Sequence, residues 1–409
     1  MPILSIFKST VLLLVLLFSS CRGQEKSNNP ITENVKTDTI VPIIVGANRT
    51  ELYLKELQGK KVGVVANQTS VIFKKNSGHT HLVDSLLSLN VNMVKVFAPE
   101  HGFRGKADAG EHVKDSMDAK TGLPIFSLHG KNKKPTAKQL DGLDIMVFDI
   151  QDVGVRFYTY IATLQLVMEA CAEGNIPVLV LDRPNPNGHY VGGPTMKNEH
   201  TGFLGMTKIP LVYGMTIGEY AQMINGEKWL KGGKKANLTI IQLKNYTHNS
   251  PYHLPIRPSP NLPNDVSITL YPSLGLFEGT NVNAGRGTEF QFQRYGASFL
   301  DSTAYDFSYV PEPNFGSKYP KEEGKNCFGE DLSKVKRMNV VSLQWLIDAY
   351  THSLDKSKFF KTNSFTKHAG TTELQKQIES GITEEEIRKT WQTELENFKK
   401  IRKKYLVYD

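Results

Sequence analysis

The chain has 409 residues, of which 39% are hydrophobic and 10% aromatic. This composition excludes a generally disordered protein, and the length leaves room for two domains with a sizeable core. The formal net charge of +8 is spread along the chain. The one dense basic run, at residues 399–404, is predicted to be the solvated face of a terminal helix, so no nucleic-acid partner is expected.

Residues 1–21 are predicted to be a signal peptide. Lys8 precedes an apolar run at residues 11–18 that is too short to span a bilayer comfortably. The run ends in L-F-S-S-C at residues 17–21, which resembles the lipobox of bacterial lipoproteins. The resemblance implies acylation of Cys21 and an extracytoplasmic, membrane-anchored protein that faces the periplasm or the cell surface. Residues 22–42 are polar and aperiodic, and they are predicted to be a flexible tether.

Short apolar runs alternate with helical patterns from residue 43 to residue 192. Runs of this kind occupy residues 62–66, 91–97, 145–150 and 178–181. Continuous apolar strands separated by amphipathic helices predict a parallel sheet that is covered on both faces, and hence a Rossmann-like α/β domain. No G-x-G-x-x-G follows the first strand and no G-x-x-x-x-G-K-[ST] occurs, so neither a nucleotide nor another cofactor is predicted.

Each predicted strand ends in polar residues. The four segments are N-Q-T-S at 67–70, E-H-G-F-R at 100–104, the twelve residues 149–160, and D-R-P-N-P-N-G at 182–188. The carboxyl ends of parallel strands lie along one edge of a sheet, which is where open α/β sheets usually bind ligands. The sequence therefore predicts one polar crevice at this edge.

Residues 193–409 are predicted to form a smaller C-terminal α/β domain. Capping boxes at Thr216 and Thr383 each open a helix, the first through Trp229, and residues 238–243 form a strand. The Gly-rich, acidic segment 278–289 is predicted to be a second binding loop. The last helix is predicted to bury its apolar positions, which are Ile387, Trp391, Leu395 and Phe398. Cys171 is predicted to be a buried core residue, and its spacing from Cys327 indicates neither a metal site nor a disulfide framework.

Four motifs together resemble one known family. They are A-P-E-H-G-F-R-G at 98–105, D-I-Q-D-V-G-V-R-F-Y-T-Y at 149–160, D-R-P-N-P at 182–186 and E-G-T-N at 278–281. The chain resembles the NamZ-type exo-β-N-acetylmuramidases of bacterial cell-wall recycling. The resemblance implies an active site in the cleft between the two domains and release of N-acetylmuramic acid from the non-reducing end of peptidoglycan-derived muropeptides or disaccharides. It also implies that Glu100, the acid of the P-E-H-G motif, is catalytic.

Glycoside hydrolysis usually requires two carboxyl groups, one as general acid and one as base, nucleophile or stabiliser. With Glu100 as the acid, Asp152 is the first choice for the second group because it follows the neighbouring strand. Glu278 and Glu289 are the alternatives, and Asp149 is expected to make a buried structural hydrogen bond within its strand. A substrate-assisted route through the acetamido group of the sugar needs only one enzyme carboxyl, and it stays open.

Muramic acid differs from glucosamine by a lactyl carboxylate, which a guanidinium matches with two hydrogen bonds. The candidates for this contact are Arg104, Arg156, Arg183 and Arg286. Tyr158 and Tyr160 are suited to stack on a sugar ring; they share a face if the segment is a strand and diverge if it is a helix. The predicted substrate-binding residues are His101, Arg104, Arg156, Tyr158, Tyr160, Arg183, Asn185, Glu278, Asn281, Arg286 and Glu289.

Two other functions stay open at this point. A metal-dependent hydrolase would draw its ligands from Glu100, His101, Asp108, Glu111 and His112, although their spacing matches no H-E-x-x-H pattern and no metal is predicted. A non-catalytic cell-wall-binding lipoprotein would use the same cleft without turnover.

Overall fold

The structure is a computed structural model that describes residues 41–104 and 115–409. The predicted signal peptide with Cys21, nearly all of the predicted tether, and Asp108, Glu111 and His112 lie outside the described residues. Within the part that is described, no helix combines the length and the apolar character needed to cross a membrane.

Strands and helices alternate through the first half of the chain, and helices dominate the end. In chain order the strands are β1 (Val62–Ala66), β2 (Val71–Lys74), β3 (Gly78–His81), β4 (Met93–Ala98), β5 (Ser116–Met117), β6 (Pro124–Ser127), β7 (Ile145–Asp149), β8 (Val178–Leu181), β9 (Gly192–Thr195), β10 (Pro210–Val212), β11 (Leu238–Ile241), β12 (Arg294–Ala297), β13 (Phe307–Tyr309) and β14 (Cys327–Asp331). The helices are α1 (Thr50–Leu57), α2 (Leu82–Ser88), α3 (Ala137–Leu140), α4 (Tyr160–Glu173), α5 (Ile217–Gly226), α6 (Asp265–Leu274), α7 (Gln344–Thr351), α8 (Thr362–Ala369), α9 (Glu373–Glu379) and α10 (Glu384–Arg402).

A seven-stranded sheet forms the centre of the fold, in the order β11-β8-β7-β1-β4-β6-β5. All neighbouring strands are parallel except β5, which runs antiparallel to β6. Val64 of β1 packs into the core on one face of the sheet, and the next residue, Val65, packs into the core on the other. Burial on both faces explains why these strands are continuous apolar runs. The predicted α/β class with a Rossmann-like parallel sheet is confirmed.

The order of the strands reverses at β1, since the chain first adds β4 and β6 on one side and then β7, β8 and β11 on the other. Ligands bind outside the carboxyl ends of the strands at such a switch point. The predicted polar segments after β1, β4 and β7 follow three adjacent parallel strands. The fold therefore brings them to the same edge, as expected.

Three predicted strands have different bounds in the structure, and one of them, expected at 145–150, ends at Asp149. The strand expected from residue 91 begins at Met93, and the strand expected at 238–243 ends at Ile241. Beyond that point the backbone N–H of Leu243 donates to the Tyr408 hydroxyl, 2.9 Å away, instead of continuing the sheet. Because β11 pairs with β8, the main sheet extends past residue 192, where the domain boundary was predicted.

The predicted helix caps are confirmed, although one helix is shorter than expected. Glu219 and Thr216 form a capping box at α5, which ends at Gly226 rather than continuing through Trp229. Lys228 has a left-handed φ of 58° just beyond that end, which does not continue an α-helix. The capping box at Thr383 opens α10, whose four predicted apolar positions are all buried. Cys171 is also buried, as predicted.

Candidate active site

A pocket of about 170 Å³ lies beyond the carboxyl ends of β4 and β7. Residues from both halves of the chain form its walls, so it is a cleft between the sheet domain and the C-terminal elements. The residues that line it are Glu100, His101, Phe157, Tyr158, Thr159, Tyr160, Leu204, Ser259, Asn261, Leu262, Tyr271, Glu278, Arg286, Phe292 and His368.

Glu100 reaches the pocket from a tight turn that follows β4. His101 and Gly102 have left-handed φ angles of 70° and 76°, so the backbone reverses at once and no helix begins here. A left-handed conformation is uncommon for a residue with a side chain, and such residues occur often at functional sites. The half-buried Glu100 carboxylate accepts a hydrogen bond from the Thr159 hydroxyl over 3.3 Å. The turn thus presents both Glu100 and His101 to the pocket.

Glu278 is the second carboxylate that lines the pocket. It lies in a 3₁₀ helix (Gly275–Gly279) and accepts a hydrogen bond of 3.1 Å from Arg286 Nη1. Burial raises the pKa of Glu278, but the nearby positive charges of Arg286 and Lys321 outweigh it and hold the pKa below its usual range. Lys321 is itself fixed by the Phe277 carbonyl at 2.7 Å. Glu278 is therefore ionised at neutral pH.

Close packing against α8 completes this side of the pocket. A Cβ placed on Gly279 would lie 2.4 Å from the Phe365 backbone, so the absence of a side chain allows α8 to approach the 3₁₀ helix. Helix α8 also carries His368 to the pocket, and the Nδ1 atom of His368 lies 2.8 Å from the Ser364 carbonyl. Burial lowers the pKa of His368. The imidazole is neutral, with Nδ1–H donating and Nε2 left as an acceptor.

Asp152, the first choice for the second catalytic carboxyl, is buried and is not among the residues that line the pocket. Its Oδ2 accepts hydrogen bonds from the Gly154 backbone N–H, 2.6 Å away, and from the Tyr213 hydroxyl. Burial raises the pKa of Asp152 to about 7. The structure thus brings Glu100 together with Glu278, one of the two alternatives, and keeps Asp152 behind the pocket wall.

Of the four arginines predicted to bind the lactyl carboxylate, Arg286 lines the pocket, whereas the other three make structural contacts. Arg104 forms a bidentate pair with Asp118, at 2.7 and 3.1 Å. Arg183 forms a fully buried bidentate pair with Asp149, at 2.6 and 2.8 Å. The expectation that Asp149 hydrogen-bonds within its own strand is therefore wrong, because its partner is a side chain that follows β8.

Arg156 is buried in full and binds backbone carbonyls rather than a carboxylate. Its two Nη atoms donate to four carbonyl oxygens at 2.8–3.0 Å. These carbonyls belong to Pro194, Ile209, His368 and Ala369. Gly370 ends α8 with a left-handed φ, and a Cβ there would lie 2.7 Å from Arg156 Nη2. Arg156 therefore fixes the end of α8, and with it His368, against the sheet domain.

Tyr158 and Tyr160 both line the pocket, although the segment is not a strand. Tyr158 lies in the turn before α4 and Tyr160 is the first residue of that helix. Their rings meet edge to face at 4.7 Å; because the segment is neither a strand nor a helix at Tyr158, neither of the two arrangements considered from the sequence applies. The Tyr158 hydroxyl donates to the Pro258 carbonyl at 2.7 Å.

Three other predicted substrate-binding residues are not among those that line the pocket in the described part of the chain. Asn185 is buried, and its Nδ2 donates to the Met215 carbonyl at 2.8 Å. Asn281 donates to the Lys358 carbonyl at 2.6 Å, and Glu289 is exposed. Their roles in binding stay predictions.

Several residues that line the pocket were not singled out from the sequence. Tyr271 stands at one wall with its ring 4.8 Å from that of Phe292. Ser259 and Asn261 come from a Pro-rich loop that lies well beyond the end of β11, the strand before it. The alternating prolines of R-P-S-P-N-L-P at 257–263 were the one available signal, since they predict a rigid, non-helical loop. His368 lies on a helix without such a signal.

Among the residues that the structure describes, no group of three or more His, Cys, Asp or Glu side chains is placed to hold a metal ion. Glu100 and His101 line the pocket, but Asp108, Glu111 and His112 lie outside the described residues. A measurement of activity with and without a chelator therefore tests the metal alternative.

Two family models together match most of the chain. The N-terminal domain of the exo-β-N-acetylmuramidase NamZ matches residues 62–266, and its C-terminal domain matches residues 269–408. The chain belongs to this family. The predicted membership is confirmed, and with it the predicted class of enzyme, a glycoside hydrolase of the exo-β-N-acetylmuramidase type.

A curated relative and two solved structures are similar to this chain over most of their length. The peptidoglycan β-N-acetylmuramidase NamZ of Bacillus subtilis is 39% identical over 375 residues, which are 87% of this chain and 89% of that protein. Two crystal structures of DUF1343 family proteins from Bacteroides fragilis superpose with TM-scores of 0.83 and 0.76, at 42% and 28% identity. Each match covers 90% of this chain and 99% of the crystallised chain.

Proposed function

We propose that this muramidase hydrolyses the β-glycosidic bond of the terminal N-acetylmuramic acid with Glu100 as general acid and Glu278 as the ionised second carboxylate. One observation carries the proposal: these two carboxyl groups line the same pocket, at the ligand-binding edge of the sheet. Glycosidases of both stereochemical types need two such groups on opposite sides of the scissile bond.

The two carboxyl groups have different surroundings, as their different roles require. Arg286 and Lys321 favour the ionised form of Glu278, which suits a base, a nucleophile or a stabiliser of the oxocarbenium-like transition state. Glu100 comes from a different element, the turn after β4, and its carboxylate accepts a hydrogen bond from the Thr159 hydroxyl. Asp152 would support the turn at Gly154 from behind the pocket.

Arg286 is the residue we assign to the lactyl carboxylate. Its side chain lines the pocket, and its buried Nε has no hydrogen-bond partner among the described residues. A guanidinium held at Nη1 by Glu278 and at Nη2 by the Gly316 carbonyl, 3.2 Å away, is preorganised to offer its remaining N–H groups to a carboxylate. This contact would favour muramides over glucosaminides.

The test uses purified protein with a chromogenic β-N-acetylmuramide and the matching N-acetylglucosaminide. We expect release from the muramide alone, no loss of activity with a chelator, and loss of activity in Glu100→Gln. Arg286→Gln should reduce the preference for the muramide, whereas Arg104→Gln, which removes a cation outside the pocket, should not. Inactivation by the chelator would support the metal-dependent hydrolase, and binding without release would support the non-catalytic module.

We further propose that acylation of Cys21 anchors the protein to a membrane, with the enzyme outside the cytoplasm and acting on peptidoglycan-derived fragments. The L-F-S-S-C motif supports this proposal. Metabolic labelling with an alkyne fatty acid should mark the wild-type protein and its Cys171→Ser variant, and it should not mark Cys21→Ser. Cys171 is a suitable control because it is buried in the folded core. Equal labelling of the Cys21→Ser variant would disprove the anchor.

A further inference from the structure

The pocket contains a buried hydrogen-bond acceptor that the proposed catalytic roles do not use. Asn261 lines the pocket and is 4% exposed. Its Nδ2 donates to the Gly316 carbonyl at 2.8 Å, which fixes the orientation of the amide. The opposite atom, Oδ1, is buried and has no hydrogen-bond partner among the described residues. A buried acceptor without a hydrogen-bond donor lowers the stability of the folded protein. In a binding pocket, such an acceptor indicates a ligand group that donates a hydrogen bond.

The loop that carries Asn261 is held rigidly at the pocket. The Pro258 carbonyl accepts hydrogen bonds from the Tyr158 hydroxyl at 2.7 Å and from Gln68 Nε2 at 3.1 Å. Asn261 is held in turn by its own backbone N–H, which donates to the Ser259 hydroxyl at 3.2 Å. The two donors to Pro258, Gln68 and Tyr158, belong to the polar segments that follow strands β1 and β7. The position of Oδ1 is therefore set before a ligand arrives.

Gly316 connects this acceptor to the arginine assigned to the lactyl group. Its carbonyl oxygen accepts hydrogen bonds from Asn261 Nδ2 and from Arg286 Nη2. The two side chains are therefore neighbours, because they bind the same backbone oxygen. In N-acetylmuramic acid the lactyl ether is on C3 and the acetamido group is on C2. Neighbouring substituents on the sugar thus meet neighbouring side chains in the pocket.

We propose that Asn261 recognises the 2-acetamido group, with Oδ1 accepting its amide N–H. The N–H of the sugar acetamide can only donate a hydrogen bond. It therefore suits Asn261 Oδ1, because the side-chain nitrogen of Asn261 already donates to Gly316. The methyl end of the acetamide has apolar neighbours in Leu262 and Phe292, which line the same pocket. The inference rests on the proposed muramidase function and adds to it a residue that determines specificity at C2.

The experiment compares the chromogenic β-N-acetylmuramide with its 2-O-acetyl analogue, in which an ester oxygen replaces the N–H. In Asn261→Leu we expect the ratio of the two kcat/KM values to fall about tenfold, because one hydrogen bond is lost with the first substrate only. Asn261→Asp keeps an acceptor and should keep more of the preference. Asn314→Leu is the matched control: within the described part of the chain Asn314 also has a buried Oδ1 without a hydrogen-bond partner, but Asn314 is not among the residues that line the pocket.

Equal losses on both substrates in Asn261→Leu would show a structural role and overturn the inference. A measurement on the wild-type protein does not depend on the folding of any variant: free N-acetylmuramic acid should inhibit about tenfold more strongly than its 2-O-acetyl analogue. Equal inhibition would also overturn the inference. Absence of any release by the wild-type protein would instead disprove the proposed function, so the two failures are distinguishable.

Discussion

Two carboxylate–arginine pairs of this protein look alike in sequence and differ in surroundings. Asp149 is the last residue of β7, and Arg183 follows the neighbouring strand β8; they form a bidentate pair whose side chains are 0% and 2% exposed. Glu278 and Arg286 form a single contact at 3.1 Å, with side chains that are 26% and 23% exposed and face the pocket. The first pair has no room for a ligand, and the second has N–H groups to spare. Exposure to the pocket, rather than the pairing itself, is the reason for proposing Arg286 and not Arg183 as the residue that binds the lactyl carboxylate.

The largest effect on stability is expected from the buried pair. Asp149→Asn removes the counter-charge of a fully buried guanidinium, and we expect the free energy of unfolding to fall by about 3–5 kcal/mol. Denaturant titration of the purified variant measures this change. A loss below about 1 kcal/mol would mean that the pair is less important than its burial indicates.

At the Glu278–Arg286 pair, a large loss of activity and a smaller loss of stability are expected. Glu278→Gln should lower kcat about 10²–10⁴-fold, the range found when a catalytic carboxyl is removed, while the loss of unfolding free energy stays smaller than in Asp149→Asn. Steady-state kinetics and denaturant titration of the same preparation test both parts. A loss of activity below tenfold would favour the substrate-assisted route, in which Glu100 is the one enzyme carboxyl required.

Asp152 is another buried carboxyl, and its protonation makes the stability of the folded protein depend on pH. The pKa of Asp152 in the folded protein is about 7, whereas an unfolded aspartate titrates near pH 4. Between about pH 4 and 7 the folded protein therefore binds a proton that the unfolded chain has released, and this group lowers the free energy of unfolding as the pH rises.

Asp152→Asn removes that titration. We expect the variant to gain stability relative to the wild-type protein as the pH is raised from about 4.5 to 7, as measured by denaturant titration at each pH. The other buried aspartates with raised pKa, Asp149 and Asp182, are present in both proteins and cancel in the difference. Parallel curves for the two proteins would contradict the prediction.

The smallest effects are expected where predicted binding residues lie away from the pocket. Glu289→Gln changes an exposed side chain, and we expect kcat/KM for the muramide to stay within about twofold of the wild-type value. A loss of tenfold or more would place Glu289 in contact with the substrate.

The sequence predicted the parts of the fold whose signal is local. Runs such as residues 62–66 are apolar throughout because both of their faces are buried, and the capping boxes at Thr216 and Thr383 mark helix starts within four residues. The predicted ends of strands were less accurate where a residue distant in sequence makes a contact. One example is the end of β11, beyond which the Leu243 N–H donates to the Tyr408 hydroxyl.

The candidate site was predictable on the sheet side and much less so on the other. Glu100, His101, Tyr158 and Tyr160 follow strands, and the strand ends had to converge. Asn261 and His368 reach the pocket through packing of a Pro-rich loop and of helix α8, and packing at that distance along the chain leaves no periodic pattern. Sequence could not separate Arg286 from Arg104, Arg156 and Arg183 either, because exposure is a property of the assembled fold.

The contacts of Arg156 have a consequence for synthesis of the protein. Two of the carbonyls that satisfy this buried guanidinium lie 212 and 213 residues further along the chain. A nascent chain that has left the ribosome only as far as α6 holds Glu100 but lacks Glu278, Arg286 and His368. Until helix α8 has been synthesised, Arg156 lacks two of the four carbonyls that it binds in the complete protein, and the pocket lacks His368.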